Sequence, residues 1–307
     1  MKERITGQRF LAVTLLNVLI TVVEIIGGLI SGSLALLSDA FHNMGDSFSI
    51  ILGYFAQQIG GRPETRKSTY GYRRAEILSA LTNSLLLVII AIFLIGEAIQ
   101  RLSHPQHING TIMMIVAVVG LVANFLSAAL LHSGSHDNLN VKATYLHVLS
   151  DALSSVAVII GGIILIFVNV PWLDPLLTIA VAIYIAYESL PIINQTIRIL
   201  MQSSPDLDYE AIAKDLTSID GIDAVHHVHA WMIDEHHIIF SAHLNCEDKP
   251  LSQIEQIYSQ VEKVLREKYG ICHITLQAEC SRGKGEELFN TVADEREMIN
   301  DHGTTNK

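Results

Sequence analysis

Long apolar runs occupy the first two thirds of the chain, and short polar links separate them. Each run is close to the ~20 residues that a helix needs to cross the hydrocarbon core of a bilayer. We therefore predict a membrane α-helical protein with six transmembrane helices, at about 9–31, 34–57, 76–100, 110–132, 142–168 and 172–198.

Beyond residue 204 the apolar runs are shorter and their period changes. The elements predicted there, in the order αββαβ, are a helix at Asp206–Ile219, strands at Ala224–Ile233 and His236–Cys246, an amphipathic helix at Ser252–Tyr269 and a strand at Ile271–Cys280. This order predicts a small α+β domain with helices on one face of a sheet. The predicted domains are thus a transport domain at 1–203, a second domain at 204–282 and, because apolar anchors become few, a disordered tail at 283–307.

Composition supports a membrane protein with a soluble appendage. Half of the 307 residues are hydrophobic and 17% are charged, against about a quarter in soluble domains. Residues 205–307 hold 9 Lys or Arg and 20 Asp or Glu, so the whole formal net charge of −11 lies there. This acidity argues against a nucleic-acid partner. The three cysteines, an odd number, are interpreted as reduced thiols.

Basic residues predict the orientation of the spans, because cytoplasmic links are enriched in Lys and Arg. The amino-terminal arm and the second link carry most of them, whereas the first, third and fifth links together offer only Arg101. Both termini and the acidic domain are therefore expected in the cytoplasm. The short loops suggest a bacterial inner membrane.

Two His-x-x-x-Asp pairs lie inside these spans, His42 with Asp46 and His147 with Asp151. On a helix, residues four apart share a face. Ionisable side chains at this depth cost at least ~2.5–3.5 kcal/mol each, so they indicate function. The second and fifth spans run in opposite directions, as the spans that form a midplane substrate site in transporters often do.

Two imidazoles and two carboxylates form an N₂O₂ donor set that suits zinc and similar divalent ions. Metal and protons would compete for these ligands, which is the chemistry of a metal/proton exchanger. The alternative is that both pairs are structural hydrogen bonds between helices. Asp39 lies on the same helix face and is either a supporting or entry-path residue or a helix cap, and Glu24 is a candidate for a proton path.

At these residues the chain resembles the cation diffusion facilitator family, in particular its zinc-transporter branch. The stretches that carry the resemblance are Ser38–Asp46, Tyr70–Glu76, Asp137–Val141, Tyr145–Asp151 and Val225–Trp231. The resemblance implies a homodimeric metal/proton antiporter with a ferredoxin-like cytoplasmic domain. It implies that His42, Asp46, His147 and Asp151 form the transport site, and that histidine at the first position favours zinc, often with cadmium or cobalt.

Two features depart from the family pattern. Ser68–Tyr72 lacks the histidines of a second metal site that some members carry, and the usual His-rich fourth link keeps only His132 and His136.

The acidic domain holds seven of the histidines. The resemblance matches His226 and His243 to metal-ligand positions, and we expect a regulatory zinc site there, completed by Glu279 or a cysteine. Strand alternation predicts that His227 and His229 share one face and that His226 takes the other. The alternative is a polar sheet face with solvated histidines.

Three functions remain to be compared. Export of Zn²⁺ in exchange for protons explains the buried pairs. A membrane-tethered metal sensor without transport leaves them unexplained. An intramembrane metalloenzyme would need an open metal position with a general base, such as His-Glu-x-x-His, and the sequence has no such motif.

Overall fold

The computed structural model describes residues 2–132, 139–168 and 170–289, with the backbone alone for 2–12 and 139–144. Six long helices come first: α1 (Lys2–Ser31), α2 (Leu34–Gly60), α3 (Arg74–Ser103), α4 (Gly110–His132), α5 (Leu139–Phe167) and α6 (Leu173–Leu200). They confirm the six predicted long helices. Within the described residues, five are long and apolar enough to cross a membrane. The exception, α2, has the length but carries both halves of the first His-x-x-x-Asp pair.

The chain divides into two compact units, Met1–Gln58 with Leu78–Asn194, and Ile59–Ile77 with Gln195–Lys307. In the first unit, a buried apolar cluster joins α2, α4 and α5 through Ala35, Leu36, Met113, Ala117 and Val158. Large apolar side chains such as Ile89, Phe125 and Leu153 are exposed on the outside of the bundle. Lipid would cover them, so the first unit presents an apolar surface to the bilayer.

The start of α2 is held by a carboxylate from another helix. Asp174 in the first turn of α6 is fully buried. It accepts hydrogen bonds from Ser33 Oγ at 2.5 Å, Leu34 N at 2.8 Å and Ala35 N at 3.3 Å. These backbone N–H groups lack partners within their own helix. Asp174 therefore caps the amino-terminal end of α2 from a different helix of the same chain.

Replacing Asp174 by alanine should therefore destabilise the protein. Loss of a helix cap costs ~0.5–2 kcal/mol of the free energy of unfolding, and we expect at least that for a buried cap with three donors. Denaturant titration of the purified protein in detergent measures the change. Asp174→Asn, which keeps an acceptor oxygen, is the matched control, and equal stability of the alanine variant and the parent would contradict this role.

The second unit contains α7 (Tyr209–Thr217), β1 (Ile222–Met232), β2 (Ile238–Cys246), α8 (Leu251–Tyr269) and β3 (His273–Glu279). Their sequence confirms the predicted αββαβ order. The sheet has the order β1-β2-β3, with β1 antiparallel and β3 parallel to β2. Apolar residues of both helices, including Leu216, Val261 and Leu265, pack with Phe240 and Leu244 of the central strand. The domain is therefore a helical layer on a mixed sheet.

The link between α2 and α3 belongs to this second unit. Arg73 Nη1 lies 3.0 Å from His237 Nε2, and His237 Nδ1 lies 2.7 Å from Asp234 Oδ1. Partial burial alone would raise the pKa of Asp234, but hydrogen bonds from His236 N and His237 lower it below its ordinary value. The link that leaves the second span is thus bonded to the turn between β1 and β2.

A β-bulge changes the predicted arrangement of the histidines on β1. The pairing of β1 with β2 shifts between His226 and His229, and His227 has a left-handed backbone with φ of 51°. The prediction that His226 and His227 lie on opposite faces was wrong. Because the extra residue interrupts the alternation, both imidazole rings contact His243, at centroid distances of 5.4 and 4.5 Å.

Residues 283–289, assigned to the tail in the sequence analysis, fold back onto the second unit. Val228 N donates a hydrogen bond to Leu288 O at 3.0 Å, and the Phe289 ring contacts Tyr209 at 5.0 Å. The remaining predicted tail, 290–307, and the link histidine His136 lie outside the described residues.

Candidate metal centre

The two intramembrane pairs meet at one point. One ligand atom from each of His42, Asp46, His147 and Asp151 lies within 4.8 Å of all the others. Two ligands come from α2 and two from α5, each pair on successive turns of its helix. Because residues four apart share a helix face, each pair lies on one face of its helix. The packing of the helices brings these two faces together.

The separations within the group are those of a set of metal donors. Asp46 Oδ2 lies 3.0 Å from His147 Nε2 and 3.8 Å from His42 Nε2. The oxygens of Asp151 lie 3.6 Å from His42 Nε2 and 3.9 Å from His147 Nε2. A tetrahedral zinc ion with bonds of ~2.0–2.2 Å holds its donors ~3.3–3.6 Å apart. Each of these four separations lies within a few tenths of an ångström of that range, and the remaining two are no longer than 4.8 Å, so modest side-chain shifts would place all four around one ion.

The four ligand side chains differ in how far they are exposed. Side chains of His42 and Asp151 are 11% and 6% exposed, whereas those of Asp46 and His147 are 20% and 41% exposed. Asp46 and His147, together with His42, line a cavity of about 490 Å³. Its wall also includes Asn83 of α3 and Glu188 of α6. The cavity gives the donors an approach from one side, with these two polar side chains in a wall whose surface is otherwise largely apolar.

Asp39 lies beside the four donors and is not one of them. Its carboxylate is buried and accepts a hydrogen bond from Ser154 Oγ at 2.8 Å. Ser154 comes three residues after Asp151, on the same face of α5. Ser154 was not predicted as a site residue, although its position one turn beyond a ligand is visible in the sequence.

A second polar contact connects α1 to the ligand-bearing turn of α2. Glu24, almost fully buried, accepts a hydrogen bond from Asn43 Nδ2 at 2.9 Å, and Asn17 Nδ2 donates to Asn43 O at 3.3 Å. Asn43 immediately follows His42. These bonds fix the backbone and side chain next to a donor, so α1 supports the geometry of the site.

A smaller donor group lies in the second unit, and the two groups are the only ones of this kind within the described residues. His226 Nε2 lies 3.2 Å from Glu279 Oε2, and His243 Nδ1 lies 3.3 Å from Glu279 Oε1. His226 and His243 are paired across β1 and β2, and Glu279 ends β3. Of the two candidates for a third ligand, the structure thus places Glu279, and no cysteine, in the group.

The surroundings of His243 favour its neutral form. Partial burial lowers the pKa of His243 below its ordinary value, with Glu279 opposing the shift. A neutral imidazole offers its lone pair to a metal, whereas the protonated form does not.

Cys246, which is not in the donor group, is buried in the apolar core, and burial raises the pKa of its thiol.

Both units of the chain match models of known protein domains. Residues 10–201 match the family model for the cation efflux transmembrane domain, and residues 204–281 match that for the cation efflux protein cytoplasmic domain. This chain belongs to the cation efflux family. It is therefore a transporter rather than an enzyme, and its α+β unit is the cytoplasmic domain of that family.

Several bacterial members of the cation efflux family are similar over most of the chain. The cadmium, cobalt and zinc/H(+)-K(+) antiporter of Bacillus subtilis strain 168 is 37% identical over 84% of both chains. Zinc transporter ZitB of Pectobacterium atrosepticum is 36% identical over 90% of this chain and 86% of its own. The metal cation efflux system protein CzcD of Cupriavidus metallidurans is 33% identical over 88% and 86%.

Proposed function

We propose that this cation efflux protein exports divalent metal ions, zinc foremost, from the cytoplasm in exchange for protons. The proposed transport site consists of His42, Asp46, His147 and Asp151. The observation that carries the proposal is the convergence of these four ligand atoms within 4.8 Å, inside the membrane-spanning unit. Relatives whose names include zinc, cadmium and cobalt support this class of substrate.

The donor chemistry explains both the choice of ion and the exchange. Two nitrogens and two oxygens suit zinc, and a bound dication offsets the cost of two carboxylates within the bilayer. The ligands hold metal only when they are deprotonated, so binding releases protons and protonation releases the metal. A site that opens alternately to each side would thereby convert an inward proton gradient into metal export.

Neighbouring groups take supporting roles in this proposal. Asp39 and Ser154 form a hydrogen bond between α2 and α5 next to the donors. Glu24 holds Asn43 beside His42 and is the candidate proton carrier on α1. The cavity lined by Glu188 provides access to Asp46 and His147.

The remaining features of the proposal concern the cytoplasmic domain and the setting. His226, His243 and Glu279 form a regulatory zinc site, supported by donor distances of 3.2 and 3.3 Å. The protein acts as a homodimer in a bacterial inner membrane, with both termini in the cytoplasm. The match to the family cytoplasmic domain and the distribution of Lys and Arg support these assignments.

Inside-out membrane vesicles containing a zinc-sensitive dye test the proposal. An acidic lumen should drive zinc uptake, and a protonophore that collapses the gradient should stop it. His147→Ala should lose this uptake, whereas His104→Ala, which removes an exposed imidazole from the α3–α4 link, should retain it. Zinc binding by the parent without flux would overturn the proposal and favour the membrane-tethered sensor.

His42→Asp should relax the preference for zinc. The substitution replaces a borderline nitrogen donor by a hard oxygen donor, and harder ions such as manganese prefer all-oxygen sites. Uptake of a panel of divalent metals by the same vesicles measures the ratio of manganese to zinc transport, which we expect to rise. An unchanged ratio would show that His42 does not set selectivity.

A further inference from the structure

The chain after β3 turns back over the cytoplasmic donor group. We call residues 283–289 the C-terminal strap. Asn245 Nδ2 donates a hydrogen bond to Arg282 O at 2.7 Å, just before the strap, and Val228 N donates to Leu288 O at 3.0 Å near its end. These two contacts, on β2 and β1, hold the strap across the end of the sheet where His226 and His243 lie.

The strap brings one more carboxylate close to one member of the group, His226. Glu286 Oε2 lies 3.9 Å from His226 Nε2, the atom that also faces Glu279. This separation is close to the ~3.3–3.6 Å between donors around a tetrahedral zinc ion. Glu286 is half-buried, while its neighbour Glu287 is exposed.

The strap backbone packs directly against His226. A Cβ built on Gly283 would lie 2.0 Å from His226 Nε2 and 2.6 and 2.7 Å from the two flanking ring carbons, which is closer than a real side chain could stand. Glycine, which has no Cβ, therefore lets the strap approach the imidazole at this position.

We propose that Glu286 is the fourth ligand of the cytoplasmic metal site, so that zinc binding closes the C-terminal strap onto the sheet. This inference rests on the proposed regulatory site and completes it. Three donors come from β1, β2 and β3, and structural zinc sites usually have four. The carboxylate of Glu286 supplies the missing one.

With the strap closed, the bound metal would also restrain the chain beyond the site. The strap ends at Phe289, whose ring contacts Tyr209 at the start of α7. Zinc held by both the sheet and Glu286 would restrain this segment against α7. The metal would thereby order the chain that follows β3.

Equilibrium zinc titration of the full-length protein in detergent tests the assignment. An Asp46→Asn background disables the transport site, and a competing chelator dye reports the free zinc concentration. We expect Glu286→Gln to weaken binding at least ~10–100-fold, the loss seen when even a residue that supports a metal ligand is removed. Glu287→Gln, which makes the same charge change one residue away, should leave the affinity unchanged.

Two further variants separate the possible failures. If Glu279→Gln weakens binding and Glu286→Gln does not, the regulatory site stands and the fourth-ligand assignment is overturned. A loss in His227→Ala without one in Glu286→Gln would assign the fourth position to His227, whose ring stacks on His243. If none of these variants alters binding, the regulatory site itself is wrong.

Discussion

Asp46→Asn should reduce proton-driven zinc uptake to the level of vesicles that lack the protein. Oδ2 of Asp46 is the atom closest to His147 Nε2, at 3.0 Å, and it also faces His42 at 3.8 Å. The amide keeps the size of the side chain but removes its negative charge and half of its acceptor capacity. A loss of at least ~10–100-fold in zinc affinity follows from comparison with less direct changes around metal ligands. Initial uptake rates at a series of zinc concentrations measure it.

The controls for this result use the same chemical change elsewhere. Asp206→Asn alters an exposed carboxylate of the second unit and should transport at the parent rate. Asp151→Asn should match Asp46→Asn, and the double variant should add little, because one ion needs both ligands at once. Retained proton-driven uptake in Asp46→Asn, with normal protein levels, would show that the four side chains do not form the transport site.

Gly283→Ala should abolish zinc binding at the cytoplasmic site while leaving the transport site intact. The new methyl group would stand 2.0 Å from His226 Nε2, far inside van der Waals contact. Either the imidazole moves away or the C-terminal strap lifts, and in both cases His226 and Glu286 can no longer share a metal. Zinc stoichiometry of the purified full-length protein should fall by one ion per chain.

Gly285→Ala is the matched control for the backbone effect. Gly283 and Gly285 both have left-handed backbones, with φ of 66° and 88°, so alanine is strained at either position. A Cβ at Gly285 would meet nothing within 4 Å. If both alanine variants lose the ion equally, strain in the strap rather than the clash with His226 explains the loss. If both keep it, the close approach of the strap to His226 is not needed for metal binding, and the fourth-ligand assignment loses this support.

Much of the architecture follows from local properties of the chain. Apolar runs of spanning length predicted the helices, and α4 at Gly110–His132 coincides with its predicted range. The change of period after Pro205 predicted the αββαβ order, because strand and helix periodicities differ over a few residues. His-x-x-x-Asp placed each intramembrane pair on one helix face for the same reason.

Features that depend on distant parts of the chain required the tertiary structure. Only packing shows that Asp174 caps α2 from α6, 140 residues away from Leu34. The bulge at His227 overturned the predicted alternation, since an extra residue in one strand is defined by its partner strand. Nothing local marked 283–289 as more than a polar tail.

The sequence by itself determined the fold class, the domain order and the four intramembrane ligand types, because hydropathy and helical spacing are encoded over a few turns of chain. Only the tertiary structure decided that α2 and α5 bring these ligands within 4.8 Å. It alone brought Glu286 beside His226. Such contacts join residues far apart in sequence, and their geometry depends on how whole helices and strands pack.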